Sequence, residues 1–97
     1  MFARVSALQG KPDQLEAGVR NYREQVVPTA RQLTGFKGAY LLTDSKSGKF
    51  LSITLWDTEK NLQASATAAD KLRANASKTI AASKPPVVDI YEVAVQP

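Results

Sequence analysis

The spacing of apolar residues changes along the chain, and the predicted element changes with it. From Phe2 to Leu8 apolar and polar residues alternate, the period of a strand. Gly10-Lys11-Pro12-Asp13 interrupts it. Pro12 suits the first turn of a helix and Asp13 its positive end. Leu15, Val19, Tyr22 and Val26 come next at intervals of four, three and four, which places them on one helical face. Pro28 ends or kinks this helix, and Ala30 and Leu33 predict one further turn before Gly35. Gly35 to Asp44 reads as a second strand, Ser45 to Gly48 as a turn and Lys49 to Trp56 as a third strand. Asp57-Thr58 is a helix-start signal. The stretch from Glu59 to about Ser83 carries a weak stripe of Leu62, Ala66, Ala69, Leu72, Ala76 and Ile80. Its small residues allow close packing or leave room for a ligand. Pro85-Pro86 closes it, and Val87 to Val95 is the last strand.

The order strand, helix, strand, strand, helix, strand predicts an α+β, ferredoxin-like fold over residues 1–97 as a single domain. Two right-handed crossovers give a four-stranded antiparallel sheet with both helices on one face. Alternation sorts the side chains. Val5, Ala7, Ala39, Leu41, Leu51, Ile53, Leu55, Val88 and Ile90 form an aliphatic set expected beneath the helices. The second set mixes aromatic, hydroxyl and charged groups. It is too apolar to face water and is expected to meet a second copy of the chain through Arg4, Tyr40, Leu42, Ser52, Thr54, Asp89 and Tyr91. An ion pair between Arg4 and Asp89 on that face is the simple reading.

Composition narrows the chemistry. The 97 residues include no cysteine and no histidine. That removes disulfides, thiolate chemistry, Ser-His-Asp triads and His- or Cys-ligated metals. No acidic cluster has calcium-loop spacing, so no metal is expected. The net charge of +4 is scattered from Arg4 to Lys84 with acids between, a solvated mixed surface rather than a nucleic-acid patch. Lys46 to Ile53 only partly matches the basic-glycine-aromatic pattern of RNA-recognition domains, and the first strand has Phe2 alone at its start. Nucleic acid and membranes are therefore not expected partners. No leader or membrane span is expected from the N-terminal residues, and a cytoplasmic location is expected.

Gly35-Phe36-Lys37-Gly38 opening the second strand, and Phe50 to Asp57 forming a strand that ends in Trp-acid and runs into a helix, resemble the dimeric α/β-barrel superfamily. Within it the chain is similar to the antibiotic-biosynthesis-monooxygenase-like (ABM) domains. The resemblance implies a homodimer closing a barrel. It also implies either cofactor-independent oxygenation of aromatic substrates or haem degradation. The haem-degrading branch uses a His as iron ligand and a Trp within the second helix. Here Gln63-Ala64-Ser65-Ala66 stands at that stretch, so haem degradation is not expected.

Four residues are candidates for substrate binding. Trp56 can donate its indole N–H or stack on a ring, or simply pack under the second helix. Tyr22 can offer a phenol to a cavity, though its helical face suits the core. Asn61 and Arg73 stand on the second helix and can hold an anionic oxygen, or lie on the surface. These candidates leave two function classes. One is a cofactor-independent monooxygenase for a small aromatic or quinone-type substrate, in which the substrate itself reduces oxygen and the protein stabilises its anion. The other is a non-catalytic dimeric module that binds a small ligand or assembles.

Overall fold

Strand β1 (Phe2–Gln9) runs between two antiparallel partners, β3 (Lys49–Trp56) and β4 (Val87–Glu92), and β2 (Phe36–Asp44) pairs with the far edge of β3. The sheet order is therefore β2-β3-β1-β4. The computed structural model, which describes residues 1–97, places α1 (Leu15–Asn21), α2 (Val27–Arg31), α3 (Glu59–Ala64) and α4 (Ala66–Thr79) against one face of it. This is the ferredoxin-like α+β arrangement that the element order predicts. No helix is long and apolar enough to cross a membrane.

Both helical segments carry an irregularity. Pro28 does not end the first one. Its ring would collide with the Glu24 carbonyl in an α-helical register, and it offers no N–H. The backbone widens instead into a π turn, Tyr22–Val26, in which the Val27 N–H reaches back to the Tyr22 carbonyl. The second segment is broken rather than continuous. At Ser65, between α3 and α4, the side-chain hydroxyl bonds the Leu62 carbonyl at 2.6 Å.

Residues directly across a ladder share a face. Arg4 faces Thr54, Ser6 faces Ser52 and Leu8 faces Phe50, and all six lie beneath the helices. For β1 and β3 this reverses the expected sorting. Val5, Ala7, Leu51, Ile53 and Leu55 belong to the open face. On β2 and β4 the expected sorting holds: Tyr40 pairs with Ile53 and Leu42 with Leu51, while Asp89 pairs with Val5. Arg4 and Asp89 therefore stand on opposite faces and form no ion pair. A bulge between Phe36 and Gly38 also separates Phe36 from that set and turns it toward Trp56, edge to face at 5.7 Å between ring centroids.

The reason is volume. The small residues of α4, together with Gly18, leave a space between sheet and helices that large side chains fill. Phe50, Leu8 and Ile80 form the core there. A Cβ on Gly18 would stand 2.6 Å from both Ile80 and Phe50, so only glycine lets the ring this close to α1. Trp56 and Leu62 are fully buried beside it.

Candidate functional site

Sheet and helices do not close completely. They enclose a cavity of about 70 Å³, room for several waters or a small ring. Its walls are mainly apolar, with Leu8, Val26, Leu41, Phe50 and Ile80 among them. Into it also face Arg4, Ser6, Tyr22, Ser52, Thr54 and Arg73.

Arg4 is the unusual group. It is a charged side chain on an inner strand of the sheet, and only 5% exposed. The break at Ser65 explains how it is held. One guanidinium nitrogen donates to Ser65 Oγ at 3.0 Å and the other terminal nitrogen to the Leu62 carbonyl at 2.8 Å. Its carbon lies 6.0 Å from the centroid of the Trp56 ring. No carboxylate is within ion-pair distance, because the chain's one salt bridge joins Asp70 to Arg73. Burial, and then the neighbouring Arg73, hold the Arg4 pKa below its ordinary value, while Asp70 acts in the opposite sense. A guanidinium remains charged under such pressure. The cavity thus contains a desolvated positive charge with no anion of its own.

Tyr22 stands at the start of the π turn, and its hydroxyl is 2.9 Å from Ser52 Oγ and 3.4 Å from the Tyr40 carbonyl. Desolvation raises its pKa, partly offset by the Ser52 hydrogen bond. Trp56 is on the cavity floor, but its indole N–H already donates to Thr54 Oγ1 at 3.0 Å. Arg73 reaches the cavity from α4 while bonded to Asp70.

Asn61 does not reach the cavity. Its side chain donates to Asp57 Oδ1 at 2.9 Å, its backbone N–H bonds the capping Thr58 Oγ1 at 3.1 Å, and both contacts fasten the start of α3. Of the residues expected at a subunit interface, Tyr40, Leu42, Asp89 and Tyr91 are exposed on the open face. Arg4, Ser52 and Thr54 are instead cavity residues. Sequence reasoning therefore missed the cavity's strongest polar group. The signal that would have found it is the pairing of Arg4 with Thr54, two residues before the strand-ending Trp56.

A larger groove of about 480 Å³ opens at the hairpin end of the sheet, between Leu42, Lys49, Lys84 and Val87. Its charged side chains are exposed and solvated, so it lacks the convergent buried polar groups of a specific site.

Comparison with known proteins agrees with the fold. A family model described as antibiotic biosynthesis monooxygenase matches residues 1–77. A monooxygenase of Streptomyces coelicolor, solved in complex with the ligand nanaomycin D, has the same fold at a TM-score of 0.76 and 20% identity, over 99% of this chain and 91% of that one. A protein of unknown function from Nitrosomonas europaea gives 0.74 at 26% identity, over 99% and 91%. An uncharacterized protein of Mycobacterium tuberculosis strain H37Rv is 26% identical over 83 residues, which is 86% of this chain. Alignments to the curated relatives span only 35% to 41% of those proteins' length.

Proposed function

The chain belongs to the antibiotic biosynthesis monooxygenase family, and from that premise we propose that its sheet–helix cavity binds a small phenolic or quinone-type aromatic as an anion and oxygenates it without a cofactor. The observation that carries this reading is Arg4, a buried guanidinium with no carboxylate partner on the wall of an apolar cavity. A desolvated cation lowers the pKa of a phenol held against it. The phenolate is the electron-rich form that can reduce oxygen.

The reaction balances without a second reductant. A phenol with an unsubstituted para carbon takes one oxygen atom from dioxygen at that carbon. The phenolic and para hydrogens leave with the other oxygen as water, and the ring, oxidised by four electrons, becomes a quinone. Arg4 stabilises the phenolate oxygen, the apolar walls hold the ring, and the Tyr22–Ser52 pair supplies a second polar contact. The S. coelicolor monooxygenase, which binds nanaomycin D, supports the reading by likeness of fold.

The test is oxygen uptake with 1-naphthol under ¹⁸O₂. Quinone carrying one labelled oxygen, formed by the wild type and not by Arg4→Met, is the expected result. Two observations favour the non-catalytic reading: the indole N–H of Trp56 is committed to Thr54, and Asn61 lies outside the cavity. Naphthol that binds but is not consumed above the protein-free rate would select that reading. Naphthol that neither binds nor reacts would end both.

We also propose that a second copy covers the open sheet face. Tyr40, Leu42, Val87 and Tyr91 are 61%, 50%, 60% and 55% exposed there. A sheet of four strands of about eight residues presents a face of roughly 500 Å², so two facing sheets bury on the order of 1,000 Å², the size at which specific interfaces begin. The interface then contains Val5, Ile53 and Leu55 in place of Arg4, Ser52 and Thr54.

A further inference from the structure

The hydrogen bond between Trp56 and Thr54 runs in one direction only. An indole N–H can only donate. Thr54 Oγ1 must therefore accept, at 3.0 Å, and the hydroxyl's own proton is turned away from the indole. Thr54 lies in both the β1–β3 and β2–β3 ladders, in register with Arg4 and Ala39. The Thr54 side chain borders the cavity, and Thr54 stands directly opposite Arg4. Opposite residues on one face have Cβ atoms about 5 Å apart.

We propose that Arg4 and Thr54 form a two-donor site for a single acceptor oxygen of the ligand, with Trp56 as the positioning residue that aims the Thr54 hydroxyl at it. This rests on the reading of the cavity as a phenolate site and specifies its polar end. Both groups donate and neither accepts in this arrangement. The site therefore takes a phenolate or carbonyl oxygen and refuses a group that must donate, such as an amine. The indole N–H of Trp56 contributes to recognition through Thr54 and not by a hydrogen bond of its own to the ligand.

The experiment is an absorbance titration with 4-nitrophenol across pH, which reports both affinity for the phenolate and the pKa of the bound probe. The wild type should hold the probe as phenolate and bind 4-nitroaniline at least tenfold more weakly, since that ligand is neutral and its amino group, set in the place of the phenolate oxygen, leaves both donors unpaired. Thr54→Val keeps the shape of the side chain and loses the donor. It should weaken phenolate binding about tenfold and raise the bound probe's pKa by about one unit. Thr54→Ser keeps the donor and should stay within about threefold of the wild type. Trp56→Phe should weaken binding about threefold in the wild-type background and not at all in Thr54→Val, because its effect passes through Thr54. Wild-type affinity in Thr54→Val, with binding lost only in Arg4→Met, would overturn this inference and leave the cavity reading standing. A Trp56→Phe loss that persists in Thr54→Val would overturn the positioning role. No binding of nitrophenolate to the wild type would overturn the cavity reading and this inference together.

Discussion

Arg4 on β1 reaches across 58 residues of chain to donate to the Leu62 carbonyl at 2.8 Å, beside the break that separates α3 from α4. A local irregularity in one helix thus creates the acceptor that holds a charge in the middle of a sheet. The arrangement satisfies part of the guanidinium and leaves the cavity's net charge for a ligand to balance.

Arg4→Met should separate these two roles. The Leu62 carbonyl keeps the Ser65 hydroxyl as donor, and methionine fills most of the lost volume. Unfolding free energy in urea is expected to stay within about 1–2 kcal/mol of the wild type, while phenolate affinity falls by at least tenfold. Equal affinity in the two proteins would remove Arg4 from the site.

Tyr22 predicts an alkaline effect. Its folded pKa is raised above the ordinary 10.0, chiefly by desolvation, so the folded state holds this proton more tightly than the unfolded chain. Its contribution is fully present below pH 10 and is lost as pH rises through 10 toward the folded value. Tyr22→Phe should therefore show a smaller fall in urea midpoint than the wild type between roughly pH 9 and pH 11. Identical alkaline slopes would contradict the burial of this hydroxyl.

Gly18→Ala tests the packing that shapes the cavity. The added methyl meets Phe50 and Ile80 at 2.6 Å. Overpacking of this kind costs about 1–3 kcal/mol, read as a lower denaturant midpoint with unchanged slope. A stability equal to the wild type would mean that α1 can move off the sheet freely.

The elements and the phase of β2 and β4 were legible in the sequence, and the phase of β1 and β3 was not. Strand and helix periods place every secondary-structure segment within a few residues, because the apolar spacing changes at each turn. Which face of β1 and β3 turns inward depends on volume far away in sequence. Gly18 and the small residues of α4 make room for Phe50, and that choice carries Arg4, Ser52 and Thr54 inward with it. Of the aliphatic set expected in the core, the members on β1 and β3 turn outward, while Ala39, Leu41, Val88 and Ile90 stay on the helix side. Arg4 read as an interface residue because its two acceptors, Ser65 and Leu62, lie about sixty residues away and leave no local pattern. The bulge at Lys37 and the π turn before Pro28 are likewise small insertions that alternation cannot register.

The open sheet face gives a prediction about assembly. Ile53→Glu places a charge at its centre without entering the cavity. Sedimentation at micromolar concentration should show a dimer for the wild type and a monomer for this variant, with phenolate affinity within about threefold. A wild-type monomer would contradict the proposed pairing.

The central claim is that the cavity between sheet and helices holds an aromatic anion against Arg4. A crystal structure of the protein with bound 4-nitrophenol tests it most directly. The account predicts the phenolate oxygen within hydrogen-bond reach of the Arg4 guanidinium and Thr54 Oγ1, with the ring against Leu41 and Phe50. A probe seated instead in the groove beside Lys49 and Lys84, or on the open sheet face, would contradict it.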